Sequence, residues 1–116
     1  MNINLILVFF LIFYKFKTEE PIDFIRKLQD SYTAVEKESI AFECEVNKDN
    51  VKCIWKKYGK QILPDNRIKI EAKGKVQHLV ISNLTLEDKQ NITCVALHNG
   101  EEVASTSGKL NVDGKL

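Results

Sequence analysis

Two cysteines and a tryptophan, each set in a run of alternating apolar and polar residues, constrain this chain more than any other feature. Ile40, Phe42, Cys44 and Val46 share one parity, as do Val51, Cys53 and Trp55, and also Ile92, Cys94 and Ala96. Side chains alternate across a β-strand, so each set lies on one face of a strand. Cys44 and Cys94 stand 50 residues apart, and Trp55 follows the first of them by eleven. Strands of this type, with sulfur and indole side chains turned inward, describe sheets packed face to face over a shared core.

Alternation and turn residues predict the strands. Ile22 to Leu28 reads as an opening strand after Pro21, continued by Tyr32 to Val35. Ser39 to Val46 and Lys52 to Tyr58 follow, the latter ended by Gly59. Pro64, Asp65 and Asn66 make a turn into Arg67 to Ala72, and Lys73-Gly74 turns the chain into Val76 to Ile81. Asn91 to Leu97 and Glu101 to Val112 complete the set, joined by Asn99-Gly100, a tight-hairpin signal. Short strands at regular spacing with polar turns point to a sandwich rather than a helical fold.

With these residues in place, the stretch from Glu20 to Asp113 resembles an intermediate-set immunoglobulin domain. It is similar to the domains strung along titin, twitchin and obscurin. The residues that carry the resemblance are the opening run Phe24 to Asp30, Phe42-Glu43-Cys44-Glu45-Val46 and Trp55 to Lys60. Leu79-Val80-Ile81 and Leu86-Glu87-Asp88 extend it. The fold so implied is an all-β, two-sheet immunoglobulin-like sandwich over residues 20–113, with Gly114 to Leu116 starting a linker.

The resemblance also implies an inter-sheet pair of Cys44 and Cys94 packed on a core tryptophan, Trp55. That leaves Cys53, which shares the parity of Trp55 and is expected to be a free core thiol, since an inward thiol packs as a small hydrophobe. The pair is expected as a disulfide in an oxidising compartment and as two thiols in the cytosol. The resemblance supplies an ion pair as well, between Arg67 and Asp88. One position departs from the family. Where it usually has a tyrosine two residues before the second cysteine, this chain has Ile92, with Gln90 two positions earlier. Isoleucine keeps the apolar volume but loses the corner hydrogen bond, which typically nets about 0.5–1.5 kcal/mol.

Met1 to Lys17 falls outside this pattern. Leu5 to Tyr14 is an unbroken apolar run, too short for a spanning helix, which needs about twenty such residues. Its length suits the apolar centre of a signal peptide. Yet no Lys or Arg precedes the run, and no Ala, Gly or Ser occurs from Met1 to Asp30 to form a cleavage site. Thirteen of the first seventeen residues are Met, Asn, Ile, Phe, Tyr or Lys, whose codons all begin with two A/T bases. Three readings therefore stand: translated AT-rich non-coding sequence joined near Thr18, a weak signal, or an anchor. Contact with a membrane is expected only if the segment is a true signal or anchor.

Seventeen basic and sixteen acidic residues are mixed along the chain, for a net charge of +1. A nucleic-acid binder needs a basic patch or stripe, and none is visible. There is no nucleophile–base constellation, no Gly-rich phosphate loop, and no C-x-x-C or H-x-x-x-H spacing. His78 is expected to face outward and His98 to lie beside a turn. No catalytic residue, cofactor, metal ligand or small-molecule substrate is expected. Two sequons, at Asn83 and Asn91, are glycan acceptors only in a secreted protein. Binding is expected at strand edges, with the first and last strands as candidates and Ser105, Thr106 and Ser107 making part of the last one polar. The leading expectation is a non-catalytic structural and protein-interaction module from a large cytoplasmic muscle or cytoskeletal protein, docking other proteins and neighbouring immunoglobulin-type modules. The alternative is a secreted or membrane-tethered adhesion or recognition domain.

Overall fold

Period-two patterning becomes nine strands in the computed structural model, which describes residues 20–115. The readings of residues 1–17 lie outside the described residues, as does Leu116 of the tail. The strands are β1 (Phe24–Arg26), β2 (Ser31–Val35), β3 (Ile40–Val46), β4 (Lys52–Lys57), β5 (Lys60–Gln61), β6 (Ile68–Lys73), β7 (Val76–Ile81), β8 (Asn91–His98) and β9 (Glu101–Asp113). A four-stranded sheet runs β1-β3-β7-β6 and a five-stranded sheet runs β2-β9-β8-β4-β5. All pairings are antiparallel except β2 with β9, where Ser31 to Val35 lie parallel to Lys109 to Asp113.

The inner faces meet in one core. Phe42, Cys44, Leu79, Ile92, Cys94 and Leu110 are fully buried, and Trp55 nearly so. Tyr32 stands edge-on to Phe42 at 4.6 Å between ring centres, and the tilted Trp55 ring lies 6.5 Å beyond. Burying large apolar and aromatic side chains in this way supplies most of the driving force for the fold.

Several sequence expectations shift. The opening strand shrinks to Phe24–Arg26, because the chain then leaves one sheet for the other. Leu28 turns into the core at that crossing, its N–H donating to Thr106 Oγ1 at 3.0 Å. Gly108 lets the crossing lie close: a Cβ there would stand 2.4 Å from the Gln29 carbonyl oxygen. The turn after β6 is Gly74-Lys75 rather than Lys73-Gly74, since Lys73 still pairs with Val76. β9 is no edge over its second half, where β2 covers it. Thr106 lies outside that covered stretch but faces inward, where it accepts from the Leu28 N–H, so it is buried rather than presented for binding. The outermost strands are β1 and β6 in one sheet and β2 and β5 in the other.

Candidate functional site

The strand register brings the sulfur atoms of this chain together. Trp55 sits opposite Cys94 and Cys53 opposite Ala96 on the β4–β8 ladder, while β3 supplies Cys44 from the facing sheet. Cys44 and Cys94 are buried and Cys53 is half-buried, and none of the three is joined in a disulfide in this structure. Hydrogen bonds to Cys44 and Cys53, with burial added, push the Cys94 thiol far above its ordinary value. The hydrogen bond with Cys94 draws the Cys53 thiol below its ordinary value, against the opposing effect of burial. Half-buried, Cys53 packs against the core that holds Cys44 and Cys94. Trp55 packs in the same core by shape. Its Nε1 has no protein acceptor among the described residues.

A second constellation occupies the corner between β7 and β8. The chain bends there through a short 3-10 turn, Leu86–Asp88, with Thr85 capping it. Asp88 is 3 % exposed and accepts from the Thr85 N–H at 2.8 Å. Arg67, just before β6, reaches it with both guanidinium nitrogens, Nη1 to Oδ2 at 3.1 Å and Nη2 to Oδ1 at 3.3 Å. Lys57 Nζ stands 3.5 Å from Oδ1. The same Arg67 Nη1 donates to the carbonyl oxygens of Ser82 and Asn83 at 3.2 and 3.1 Å. Burial raises the Asp88 carboxyl, but the hydrogen bonds from Arg67 and Thr85 outweigh it and hold the group below the usual aspartate value. A bidentate fork on a buried carboxylate fixes both angle and distance. The arrangement locks the turn after β7 to the start of β6, and leaves no lone pair pointed at a substrate.

The corner also shows what stands in for the missing tyrosine. Ile92 is fully buried, and the Gln90 side chain donates from Nε2 to the Glu87 carbonyl at 2.9 Å, tying the 3-10 turn to β8. Asn83 and Asn91 are both exposed, Asn83 with a left-handed backbone at φ 50. His78 is 3.4 Å from Glu43 on the outer face, and His98 is exposed at the β8–β9 hairpin. Among the described residues, no group of three or more His, Cys, Asp or Glu could hold a metal ion.

Two packed sheets, an inward tryptophan in a core that holds two cysteines and a charge-locked corner define an immunoglobulin-like module. The family model for the immunoglobulin I-set domain matches residues 22–112. The chain belongs to the immunoglobulin I-set domain family. It is 41% identical over 59 residues to mouse (Mus musculus) cardiac-type myosin-binding protein C, covering 51% of this chain and 5% of that protein. It is 33% identical over 100 residues to titin of Drosophila melanogaster, covering 85% of this chain and a share of titin that rounds to 0%. Among solved structures it is similar to the I9–I11 tandem from titin, with a TM-score of 0.74 and 28% identity. That match covers 82% of this chain and 34% of the tandem. The chain thus spans only a small part of the muscle proteins it matches.

Proposed function

We propose that residues 20–113 form a non-catalytic spacing and protein-docking module of a larger modular protein of muscle or the cytoskeleton, working in the cytoplasm. The observation that carries this reading is the placement of the domain's two ends. Asn47 clamps the incoming chain, donating from Nδ2 to the Pro21 carbonyl at 2.8 Å and accepting from the Asp23 N–H at 3.0 Å. The outgoing chain leaves beside Val35, where Asp113 pairs, and the Glu36 N–H donates to the Asp113 carbonyl at 2.8 Å. Because β1 runs antiparallel to β3, these two points lie at opposite ends of the sandwich. A module held at both ends in this way suits a linear array, and the likeness to a titin tandem supports the same arrangement. The buried ionisable groups are consumed inside the fold, as in a scaffold rather than a catalytic pocket.

Native protein taken from tissue and probed with an antibody to this domain is expected to be far larger than 13.3 kDa. After unfolding in denaturant it should titrate three thiols in this domain, as the reducing cytoplasm requires. A small secreted species with one thiol and glycans on Asn83 or Asn91 would overturn the reading in favour of extracellular recognition.

A further inference from the structure

Two tight hairpins in this molecule share one backbone geometry and differ in what occupies it. Between β8 and β9 the turn is Asn99-Gly100, with φ of 52 and 80. Between β4 and β5 it is Tyr58-Gly59, with φ of 53 and 72. Asparagine is the residue such a left-handed position favours, and a bulky aromatic is a rarity there. Local conformational preference thus explains Asn99 and argues against Tyr58. The Tyr58 ring gains nothing from packing in return, since it is 76 % exposed. An exposed aromatic held against its backbone preference marks a position chosen for something outside the fold.

Its surroundings say what that is. Beside the hairpin lies a groove of about 480 Å³ between the two sheet edges, β5 on one side and β6 on the other. Ile62, Ile68 and Ile81 give it an apolar floor, and Tyr58 with the 66 % exposed Leu63 stands on its rim. Two carboxylates and two ammonium groups also line it, and they are not equivalent. Asp88 is taken up by Arg67 and Thr85, and Asp65 Oδ1 accepts from the Arg67 and Ile68 N–H groups at 2.8 and 2.9 Å. Lys57 makes only the 3.5 Å contact to Asp88, and Lys60 has no ion-pair partner among the described residues. The backbone bonds to Asp65 leave it its negative charge, so with Arg67 set against Asp88 the groove carries Lys57 and Lys60 against Asp65, a net of +1.

β5 adds a backbone template. Lys57 pairs with Lys60 across the turn, and the Ile62 N–H donates to the Trp55 carbonyl, so Lys60 and Ile62 bond inward. Antiparallel alternation then points the Gln61 N–H and carbonyl outward from the sheet.

We infer that the β4–β5 hairpin and its groove bind an extended acidic segment of another protein, which adds as a strand to β5 and seats one large apolar side chain on the isoleucine floor. Strand addition provides main-chain bonds, and alternate side chains of the segment fall toward the groove. Its carboxylates meet Lys57 and Lys60, while Tyr58 covers the anchor. The inference rests on the reading of this domain as a protein-docking module and names the docking surface.

The test is a titration of the full isotope-labelled chain with a capped eight-residue peptide carrying one central Phe flanked by Glu, followed by amide shifts. Shifts concentrated from Tyr58 to Leu63 and at Ile68 are expected, with a matched Lys-flanked peptide binding far less. Lys60→Glu should weaken binding by about tenfold. Tyr58→Asn, which suits the turn better and should leave the fold intact, should weaken it by a similar factor. Equal binding of the basic peptide, or an unchanged affinity in Tyr58→Asn, would overturn the assignment. Shifts confined to another face, or no binding by the peptide, would overturn it while leaving the native-size and thiol measurements to judge the modular reading. Adsorption to phosphatidylserine vesicles through Tyr58 and Lys60 without peptide binding would overturn it in favour of a lipid surface.

Discussion

On one flank of the sandwich the chain changes sheet between β1 and β2 through Lys27–Asp30, and on the other between β5 and β6 through Ile62–Arg67. The first crossing is sealed. Leu28 enters the core at 6 % exposure, Thr106 receives its N–H, and Gly108 offers a hollow under the Gln29 carbonyl. The second crossing sends Ile62 inward but leaves Leu63 in solvent, and it is pinned at its far end by Asp65 and Arg67 rather than along its length. A flank becomes closed when a distant strand is shaped to receive the crossing. Without such a receiver, polar anchors at the ends hold the chain and a groove remains.

Truncation of the apolar residue in each crossing should separate the flanks most strongly. Leu28→Ala is expected to cost about 2–5 kcal/mol, while Leu63→Ala should stay within about 0.5 kcal/mol. Urea unfolding followed by Trp55 fluorescence measures both, and equal costs would erase the distinction. Next in size, Gly108→Ala should cost about 3 kcal/mol, the upper end for overpacking, because the added carbon meets a backbone oxygen rather than a movable side chain. A neutral effect in the same assay would show that the first crossing is loosely seated.

The open flank depends instead on its polar pin. Asp88→Ala should cost about 2–3 kcal/mol, less than the ~3–5 of a wholly buried pair because Arg67 keeps access to water. Since the folded carboxyl titrates below its unfolded value near ~3.9, its contribution is complete above that value. It disappears as pH falls through the lower folded value. Melting curves between pH 2 and 6 should therefore show a shallower acid loss in the variant than in the parent, and parallel curves would remove Asp88 from that role. The smallest expected effect is Thr106→Val, about 1–2 kcal/mol for leaving the Leu28 N–H unpaired. Hydrogen exchange at Leu28 would report it directly, and unchanged protection would mean that another acceptor serves.

The inner faces were legible in the sequence because a buried face enforces a period of two, which is why Phe42, Cys44, Trp55, Ile92 and Cys94 meet where parity puts them. The Asn99-Gly100 turn was legible because its residues match its backbone. Tyr58-Gly59 has the same backbone and was read only as a strand end, since tyrosine carries no turn signal. β5 escaped because Lys60 and Gln61 are both exposed and show no alternation. The break after Arg26 escaped for a different reason. No Gly or Pro marks it locally, and its cause lies in Thr106 and Gly108, far along the chain. Arg67 and Asp88 were paired by resemblance alone; no periodicity links a residue before β6 to one after β7.

The parallel ladder of β2 and β9 has a consequence for load. Tension applied through the two ends of the domain pulls β2 back from Ser31 and β9 forward from Asp113, so the pair slides lengthwise. Every hydrogen bond from Ser31–Lys109 to Val35–Asp113 then bears force together, instead of yielding one after another as in a hairpin peeled from its open end. The short β1–β3 pairing lies nearer the pulled end and meets the load first. Behind it the β2–β9 ladder resists as a set, so a proline replacing a bonded residue within that ladder should lower the unfolding force far more than one in the exposed β6 edge.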